Sequence, residues 1–400
     1  MSAATEGDVQ IGTTAFRRIN VALFCAGFVT FVTLYDVQPL LPLFAQEFRV
    51  SPAVASLPLS CATIALAFGM LIVGTVSETL GRRQVMTAAL FLTSLLAVAT
   101  LFSHSFESLL VLRLLQGVAL AGVPSVAMAY LGEEMNAESI GHAMGLYISG
   151  NALGGMTGRI GSSLLCRYVP WHTAIALIGV ISLLLSLIFL KSLPPSTNFR
   201  QRPFQLRYLF TSLLQNLRDP GLLCLYLLAF LSMGGFISLY NYIGFRLLDA
   251  PYGLNQFQVS LIFLVYMLGS FSSGVVGSLI HRFGRPFMIR ITLATMLTGT
   301  LVTLAGSLTL IVAGVGIFTC GFFSAHAIAS SWVGRRAKTA KAQASSLYLF
   351  SYYLGSSISG TAGGLFWQHF GWNGVAAMIA LLLLAAFGVA ALLLRMPVME

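Results

Sequence analysis

Twelve long apolar segments recur from one end of the chain to the other. Each has about 20 or more residues, enough for a helix to cross roughly 30 Å of hydrocarbon. Membrane β-strands would be about ten residues long and alternate in polarity, whereas these segments are continuously apolar. The sequence therefore predicts an all-α integral membrane protein. In chain order, the twelve expected spans are 19–44, 54–77, 84–103, 107–131, 141–165, 171–193, 221–247, 258–280, 287–306, 309–332, 344–367 and 372–395.

The charged residues support this class and indicate an orientation. Only 8% of the residues are charged, against about 25% in an ordinary soluble protein. With the N-terminus placed inside, 17 of the 22 Lys and Arg fall on the inner side, as the positive-inside rule predicts for cytoplasmic loops. The net charge of +10 therefore reflects topology rather than nucleic-acid binding, and both termini are expected in the cytoplasm. The inner basic residues are Arg17, Arg18, Arg82, Arg83, Lys191, Arg200, Arg202, Arg207, Arg218, Arg282, Arg285, Arg290, Arg335, Arg336, Lys338, Lys341 and Arg395.

The sequence carries no signature of a cofactor, a metal site or an enzyme. Its five cysteines are odd in number, lie inside apolar spans and form no CxxC pair, so neither a disulfide framework nor a metal site is expected. It has no Walker-type phosphate loop. The first span continues through Asp36 and Pro39 without a small-residue cleavage site, so it is not interpreted as a cleavable signal.

The two halves of the sequence are similar to each other. FVTLYDVQ at 31–38 resembles FISLYNYI at 236–243, and LYISGNALGG at 146 resembles LYLFSYYLGS at 347, at offsets of 205 and 201. These ordered matches predict a six-helix bundle in 1–193 and a second one in 220–400. Between them, 194–219 forms a linker in which Phe204, Leu206, Leu209, Phe210, Leu213, Leu214 and Leu217 have helical spacing. An amphipathic helix on the inner membrane surface is expected there, the alternative being a flexible tether.

Two polar loops carry a recognisable motif. GTVSETLGRR at 74–83 resembles the signature loop of the major facilitator superfamily, and GSLIHRFGRP at 277–286 is its weaker second copy. The first loop differs from the family pattern at two positions. Glu78 stands where the family usually has Asp, and Thr79 stands where it usually has Arg. The resemblance implies a cytoplasmic gate in which Gly74 admits a neighbouring helix and Glu78 meets the N-terminus of span 11. The gate residues are Gly74, Glu78, Gly81, Arg82, Arg83, Gly277, Arg282, Gly284 and Arg285.

Simpler roles for these loops remain open. Arg82 and Arg83 could serve only to set topology. An acidic stretch on the inner side contains Glu133, Glu134 and Glu138, whereas the equivalent loop of the second half is basic and contains Arg335, Arg336, Lys338 and Lys341. Opposite charge there either contributes to closure or is solvated and unpaired.

Three further stretches resemble the same family. RLLQG at 113–117 is similar to its span 4 arginine motif, and PLLP at 39–42 to the span 1 motif of twelve-helix drug/proton antiporters. GNALGGMTG at 150–158 is similar to the span 5 antiporter motif, in which glycines pack helices tightly; here these are Gly150, Gly154, Gly155 and Gly158. The segment ASSLYLFSYYLGSS at 344–357 resembles the sequence of enterobacterial inner-membrane transporters. The resemblance implies the major facilitator fold, with two pseudo-symmetric six-helix bundles, in a bacterial inner membrane.

Charged residues inside the spans are the candidates for coupling. Such residues cost about 2.5 to 3.5 kcal/mol each to insert, and only Asp36, Arg113 and Arg159 lie well inside. Asp36 and Arg113 are expected at depths that differ by roughly 3 Å, so they could pair. Because an adjacent arginine favours the ionised carboxylate, a permanent pair would oppose proton exchange. Either the pair separates, or Asp36 serves the substrate. Arg159 could extend to the surface, line the pathway or neutralise Asp36.

A central cavity would be lined by aromatic and amide residues between the halves. The candidates are Phe31, Tyr35, Gln38, Asn151, Phe236, Tyr240, Asn241 and Tyr353. His326 in span 10 is either a proton relay or a hydrogen-bonded structural histidine.

Proton-driven export of small organic molecules by alternating access is the leading hypothesis. The expected partners are a small-molecule substrate, protons and the lipid bilayer, and the expected state is a monomer. A symporter or uniporter importing a small polar solute is the alternative, and a receptor or scaffold without transport is a third possibility.

Overall fold

The computed structural model describes residues 9–199, 201 and 206–396, and these residues are almost entirely helical. Arg200, Arg202 and Phe204 of the predicted linker lie outside the described residues. The helices are α1 Thr14–Tyr35, α2 Leu41–Glu47, α3 Pro52–Ala55, α4 Leu57–Leu80, α5 Arg82–Ala99, α6 Phe106–Leu120, α7 Pro124–Glu134, α8 Ala137–Leu165, α9 Trp171–Ser192, α10 Leu206–Leu217, α11 Pro220–Leu248, α12 Gln256–Ser260, α13 Tyr266–Phe283, α14 Arg285–Val302, α15 Leu308–Arg336 and α16 Lys341–Arg395.

Nine helical segments of the described chain are long and apolar enough to cross a bilayer. Two predicted spans, 5 and 9, form the helices α8 and α14 but are not among these nine segments. Predicted spans 11 and 12 lie together in one continuous helical segment. That segment turns at Gly371, whose φ of 58° is a conformation that glycine adopts readily. The prediction of an all-α membrane protein is confirmed, and the number of twelve spans stays a prediction.

Two predicted spans are broken rather than continuous. In span 1, α1 ends at Tyr35 and a short 3-10 turn at Gln38–Leu40 leads into α2. In span 4, α6 ends at Leu120 and α7 begins at Pro124. Proline lacks a backbone N–H and clashes with the preceding helical turn, so the chain changes direction just before Pro39 and Pro124.

The chain divides into two compact units. Unit 1 comprises Met1–Val37 and Phe68–Leu206, and unit 2 comprises Gln38–Ala67 and Arg207–Glu400. The outer part of the first predicted half, residues 38–67, therefore groups with the second half. The predicted bundle boundaries at 193 and 220 stay predictions.

Each unit contains a helix pair in direct backbone contact. In unit 1, a Cβ added to Gly150, Gly154 or Gly158 of α8 would lie closer than 3.0 Å to a carbonyl oxygen of α1. Only glycine permits this approach, as the span 5 motif predicts. In unit 2, a Cβ on Gly355 of α16 would meet the carbonyl oxygen of Phe230 in α11 in the same way. Gly154 and Gly355 are equivalent positions of the sequence repeat.

The predicted linker helix is present as α10. Its Leu209, Ser212 and Asn216 are buried, and the Asn216 amide donates to the carbonyl oxygen of Ala340 at 3.4 Å. A second face exposes Phe210, Leu214 and Leu217, which are 65%, 54% and 39% exposed. These positions are four and three residues apart and form one apolar stripe.

Candidate functional site

Asp36 and Arg113 meet in the interior of unit 1, as their depths predicted. Asp36 is fully buried, and its Oδ1 lies 3.2 Å from Nη1 of Arg113, which is also buried. Oδ2 of Asp36 has no hydrogen-bond partner among the described residues. The carboxylate is therefore held at one oxygen only.

The arginine is bound mainly by other acceptors. Its Nη1 donates to the Thr33 carbonyl oxygen at 2.8 Å and to Gln116 Oε1 at 2.6 Å, and its Nη2 donates to the Leu34 carbonyl oxygen at 2.5 Å. Nη1 carries two hydrogens, and its two shorter hydrogen bonds go to Thr33 and Gln116. The contact of Nη1 with Asp36 is therefore the weakest of the three. Thr33 and Leu34 lie in the last turn of α1, whose carbonyls have no helical partner. Arg113 thus caps α1 at the break in span 1.

The role of Gln116 was not predicted from the sequence. It lies three residues after Arg113 in α6, which places both side chains on one helix face. Its own Nε2 donates to the Thr93 carbonyl oxygen of α5 at 3.3 Å, which fixes the amide with its oxygen toward Arg113. The role of Gln116 could have been predicted from the sequence, because it is a polar residue three positions after an arginine inside a predicted span.

Arg159 lies beside Tyr35 in the same unit. Its guanidinium carbon is 3.8 Å from the centre of the Tyr35 ring, and Nη1 donates to the Gly155 carbonyl oxygen at 2.7 Å. Only 2% of the residue is exposed, so it does not extend to the surface. A Cβ on Gly155 would meet Nη1 of Arg159 at 3.0 Å, so this glycine provides room for the guanidinium, and it would lie 3.9 Å from the Cβ of Phe31. Cation–π contact stabilises a desolvated arginine by about 2 kcal/mol.

Asn151 also lies on α8, two turns before Arg159. Its Oδ1 faces α1 at Gly27, where a Cβ would collide with it. That oxygen has no hydrogen-bond partner in the part of the chain that the structure describes. Asn151 therefore packs against α1, and its role in a cavity stays a prediction.

In unit 2, Gln38 and Asn241 form a direct pair. Gln38 Nε2 donates to Asn241 Oδ1 at 2.8 Å, although 203 positions separate them. Both side chains are buried. Both were predicted to line a cavity, and the amide–amide hydrogen bond brings them together.

The predicted aromatic residues of unit 2 pack into one cluster. Phe236 stacks on Phe322 with ring centroids 3.8 Å apart, and Tyr240 shares a 2.7 Å hydrogen bond with Thr319 Oγ1. Tyr353 is buried and contacts the Tyr352 ring edge-on. All these aromatic side chains take part in packing.

His326 is hydrogen-bonded, as the structural alternative predicted. Its Nδ1 lies 3.0 Å from the hydroxyl of Tyr348. Both residues line a cavity of about 10 Å³ together with Ser232, Phe322 and Tyr352. That volume accommodates about one water molecule and no organic solute.

A set of hydroxyl contacts in unit 2 was not predicted. Ser60 and Thr361 approach to 2.8 Å, and Thr63 and Ser357 approach to 2.7 Å. Ser56 adds a 3.3 Å hydrogen bond to Thr361. We call these five residues the hydroxyl zipper; it joins α4 to α16. Single Ser and Thr residues in apolar helices give no sequence signal, although the spacing of positions 56, 60 and 63 places them on one helix face.

Both motif loops turn at a glycine. Gly81 has a φ of 99° and Gly284 a φ of 77°, so each loop needs a residue without a Cβ. Around Gly74 and Gly277, an added Cβ would meet no described atom within 4 Å. The helix approach expected at Gly74 stays a prediction.

Arg82 is the centre of a network in unit 1. Its Nη2 lies 2.8 Å from Glu133 Oε1 and 3.7 Å from Glu78, and its Nε donates to both Glu133 oxygens at 3.3 Å. Nη1 donates to the Gly74 carbonyl oxygen and to Ser77 Oγ. Arg82 thus does more than set topology.

Arg83 and Glu134 also have specific partners. Arg83 donates to the Leu190 carbonyl oxygen at 3.0 Å, which caps the end of α9. Glu134, 2% exposed, accepts from the backbone and hydroxyl of Thr197 and from the backbone of Asn198. The alternative of a solvated, unpaired acidic stretch is therefore wrong for Glu133 and Glu134. In unit 2, Arg282 lies over the Phe283 ring, with 5.1 Å between the guanidinium carbon and the ring centroid.

Comparison with known proteins identifies the family. The sequence profile described as Major Facilitator Superfamily matches residues 21–330 and 247–400. The chain belongs to the Major Facilitator Superfamily. It is 50% identical over 387 residues to the uncharacterized MFS-type transporter YybF of Bacillus subtilis, covering 97% of this chain and 96% of that one. The inner membrane transport protein YnfM of Escherichia coli is 46% identical over 378 residues, with 94% and 91% covered.

More distant members agree with this assignment. The chloramphenicol resistance protein CraA of Acinetobacter baumannii is 28% identical over 309 residues, 74% of this chain and 73% of that one. The crystal structure of the nucleoside transporter NupG superimposes with a TM-score of 0.76 at 14% identity, covering 94% and 99%. The predicted major facilitator fold is thus confirmed. This member of the superfamily is a multi-pass membrane transporter.

Proposed function

We propose that the protein exports small organic molecules from the cytoplasm in exchange for protons, by alternating access in a bacterial inner membrane. Both termini lie in the cytoplasm in this proposal. The relation to a protein named for chloramphenicol resistance supports export of drug-like solutes. The two backbone-packed glycine helix pairs support the same class, since the span 5 motif is that of antiporters.

The arrangement of Asp36 carries the proposal. A proton on the unpartnered Oδ2 would remove the negative charge of the carboxylate, while Arg113 would retain Thr33, Leu34 and Gln116. The negative end of the α1 dipole lies at the same place and favours the positive guanidinium. Asp36 can therefore gain and lose a proton without leaving a buried arginine unsatisfied. This removes the difficulty that a permanent pair posed for proton exchange.

Import by symport is supported less well. It would be favoured if Arg113 and Arg159 both faced a polar solute. Arg113 is occupied by the end of α1 and by Gln116, and Arg159 by Tyr35 and Gly155. Neither guanidinium is thus held in reserve for an anionic substrate.

Two contact regions would separate in turn during transport. At the inner side, Glu78, one third exposed, would engage the N-terminus of span 11, and the dipole there would contribute about 0.3 to 1 kcal/mol. At the opposite end of the spans, the hydroxyl zipper and the pair of Gln38 with Asn241 would hold residues 38–67 against the second predicted half. Each hydrogen bond contributes about 1 kcal/mol, so both regions can break reversibly.

Proteoliposomes test the proposal. With a pH-sensitive dye inside and chloramphenicol as the probe, solute movement should drive protons in the opposite direction. Asp36→Asn should abolish the coupled proton movement, whereas Glu107→Gln, an exposed carboxylate of α6, should leave it unchanged. Parallel movement of proton and solute would replace antiport by symport. Full coupling in Asp36→Asn would remove Asp36 from the mechanism.

A further inference from the structure

The two inner loops of the repeat differ by a charge reversal at two adjacent positions, Glu133 and Glu134 against Arg335 and Arg336. LGEE at 131–134 ends α7, and VGRR at 333–336 ends α15 at the equivalent place, 202 residues later. In unit 1, Arg82 at the start of α5 pairs with Glu133. The same two positions in unit 2 hold Arg285, at the start of α14, and Arg335. An ion pair in one repeat has thus become two like charges in the other.

The donor that Glu133 satisfies in unit 1 is left open in unit 2. Nε of Arg82 donates to both carboxylate oxygens of Glu133. Nε of Arg285 is buried and has no hydrogen-bond partner among the described residues. Burial and the charge of Arg335 lower the pKa of Arg285, as expected when two cations approach without an anion between them.

The other charges that the structure describes on the inner side of unit 2 do not fill this gap. Asp219, which caps the start of α11, is bound by Arg336 at 2.8 Å and by the backbone of Gly221. Arg282 lies over the Phe283 ring and adds a third cation to the loop. The Nε of Arg285 is buried without an acceptor, which is unfavourable, so an anion from outside the chain would stabilise it.

We propose that Arg285 and Arg335 form a binding site for a phosphate group, which takes the place that the Glu133 carboxylate occupies in the first repeat. The phosphate belongs to an anionic phospholipid of the inner leaflet. Two phenylalanines beside the site support a lipid: Phe283 and Phe287 are 46% and 48% exposed, and their rings lie 5.9 Å apart. Acyl chains would cover these rings while the headgroup contacts the arginines, whose planar donors match phosphate oxygens.

The site is tested by placing a glutamate at position 335, which is equivalent to Glu133 of the first repeat. Arg335→Glu would supply an internal partner for Arg285 and fill the site. Arg290→Glu is the matched control, because Arg290 is exposed on α14, bonds only its own helix at Pro286 and undergoes the same charge change. Delipidated full-length protein is titrated with phosphatidylglycerol, and binding is followed by native mass spectrometry and by the shift in melting temperature.

The expected result is a loss of phosphatidylglycerol affinity of at least tenfold in Arg335→Glu, with no loss of melting temperature in the lipid-free state. Arg290→Glu should stay within about threefold of the wild type. Equal losses in the two variants would overturn the site, since a general charge effect then explains binding. Stabilisation by inorganic phosphate equal to that by the lipid would overturn the lipid source. Phosphatidylcholine should not substitute for phosphatidylglycerol.

Discussion

Thr63 and Ser357 share a hydrogen bond of 2.7 Å, although 294 positions of sequence separate them. It is the innermost contact of the hydroxyl zipper, which joins the second span of the first predicted half to span 11. If transport requires these helices to part, a covalent bond at this position has to block it. Cysteines at both positions, in a variant without the five native cysteines, should form a disulfide under mild oxidation.

The expected outcome is loss of chloramphenicol exchange on oxidation and full recovery on reduction, measured in proteoliposomes. Variants with one cysteine at either position serve as controls and should keep exchange under both conditions. Exchange at the wild-type rate by a fully cross-linked sample would show that the zipper is structural and does not open.

Backbone packing between α1 and α8 makes Gly154 sensitive to a single methyl group. Gly154→Ala would push its Cβ against the Phe28 carbonyl oxygen and lower the free energy of unfolding by about 1 to 3 kcal/mol. Gly161→Ala, on the same helix with no atom within 4 Å, should be neutral or slightly stabilising. Melting temperatures in detergent compare the two. A similar loss in both variants would point to helix propensity or expression rather than to packing.

Asp36 and Arg113 should differ in their effect on stability. Arg113→Ala removes the donor to the Thr33 and Leu34 carbonyls and to the amide oxygen of Gln116, and we expect the free energy of unfolding to fall by about 3 kcal/mol. Asp36→Asn keeps the size of the side chain and should retain the melting temperature of the wild type while losing proton coupling. Thermal unfolding without substrate measures the first effect. An equally unstable Asp36→Asn would mean that Asp36 is mainly a structural partner of Arg113.

The exposed stripe of α10 should face lipid. Spin labels at positions 210 and 214 should be accessible to oxygen and protected from a water-soluble nickel reagent, because Phe210 and Leu214 form the apolar stripe. Labels at Thr211 and Gln215 on the neighbouring exposed face should show the reverse. Electron paramagnetic resonance of the full chain in liposomes gives both values. The same accessibility at all four sites would favour a helix held away from the membrane.

Sequence patterns predicted those features that depend on composition or on a local motif. Similar depths indicated that Asp36 and Arg113 could pair, the glycine spacing of α8 predicted tight helix packing without naming α1, and apolar spacing predicted α10. Each follows from residue types at fixed separations on one helix. The breaks in spans 1 and 4 escaped prediction because the apolar character continues through Asp36 and across Pro124.

Pairings between distant segments were harder to predict. Gln38 with Asn241 and Thr63 with Ser357 involve small polar side chains that are common in membrane helices, and nothing in either segment names its partner. Arg82 with Glu133 had a usable signal, since both are inner-side residues of opposite charge. The sequence placed them in separate loops, and only the packing of α5 against α7 brings them together.

The glycine contacts of α8 also bear on how the site would move. With no side chain between the two backbones along Gly150, Gly154 and Gly158, α1 cannot slide or tilt without carrying α8 with it. Asp36 ends one of these helices and Arg159 projects from the other. In a transport cycle, the acid and the ring-stacked arginine are therefore expected to move together, with the distance between them unchanged.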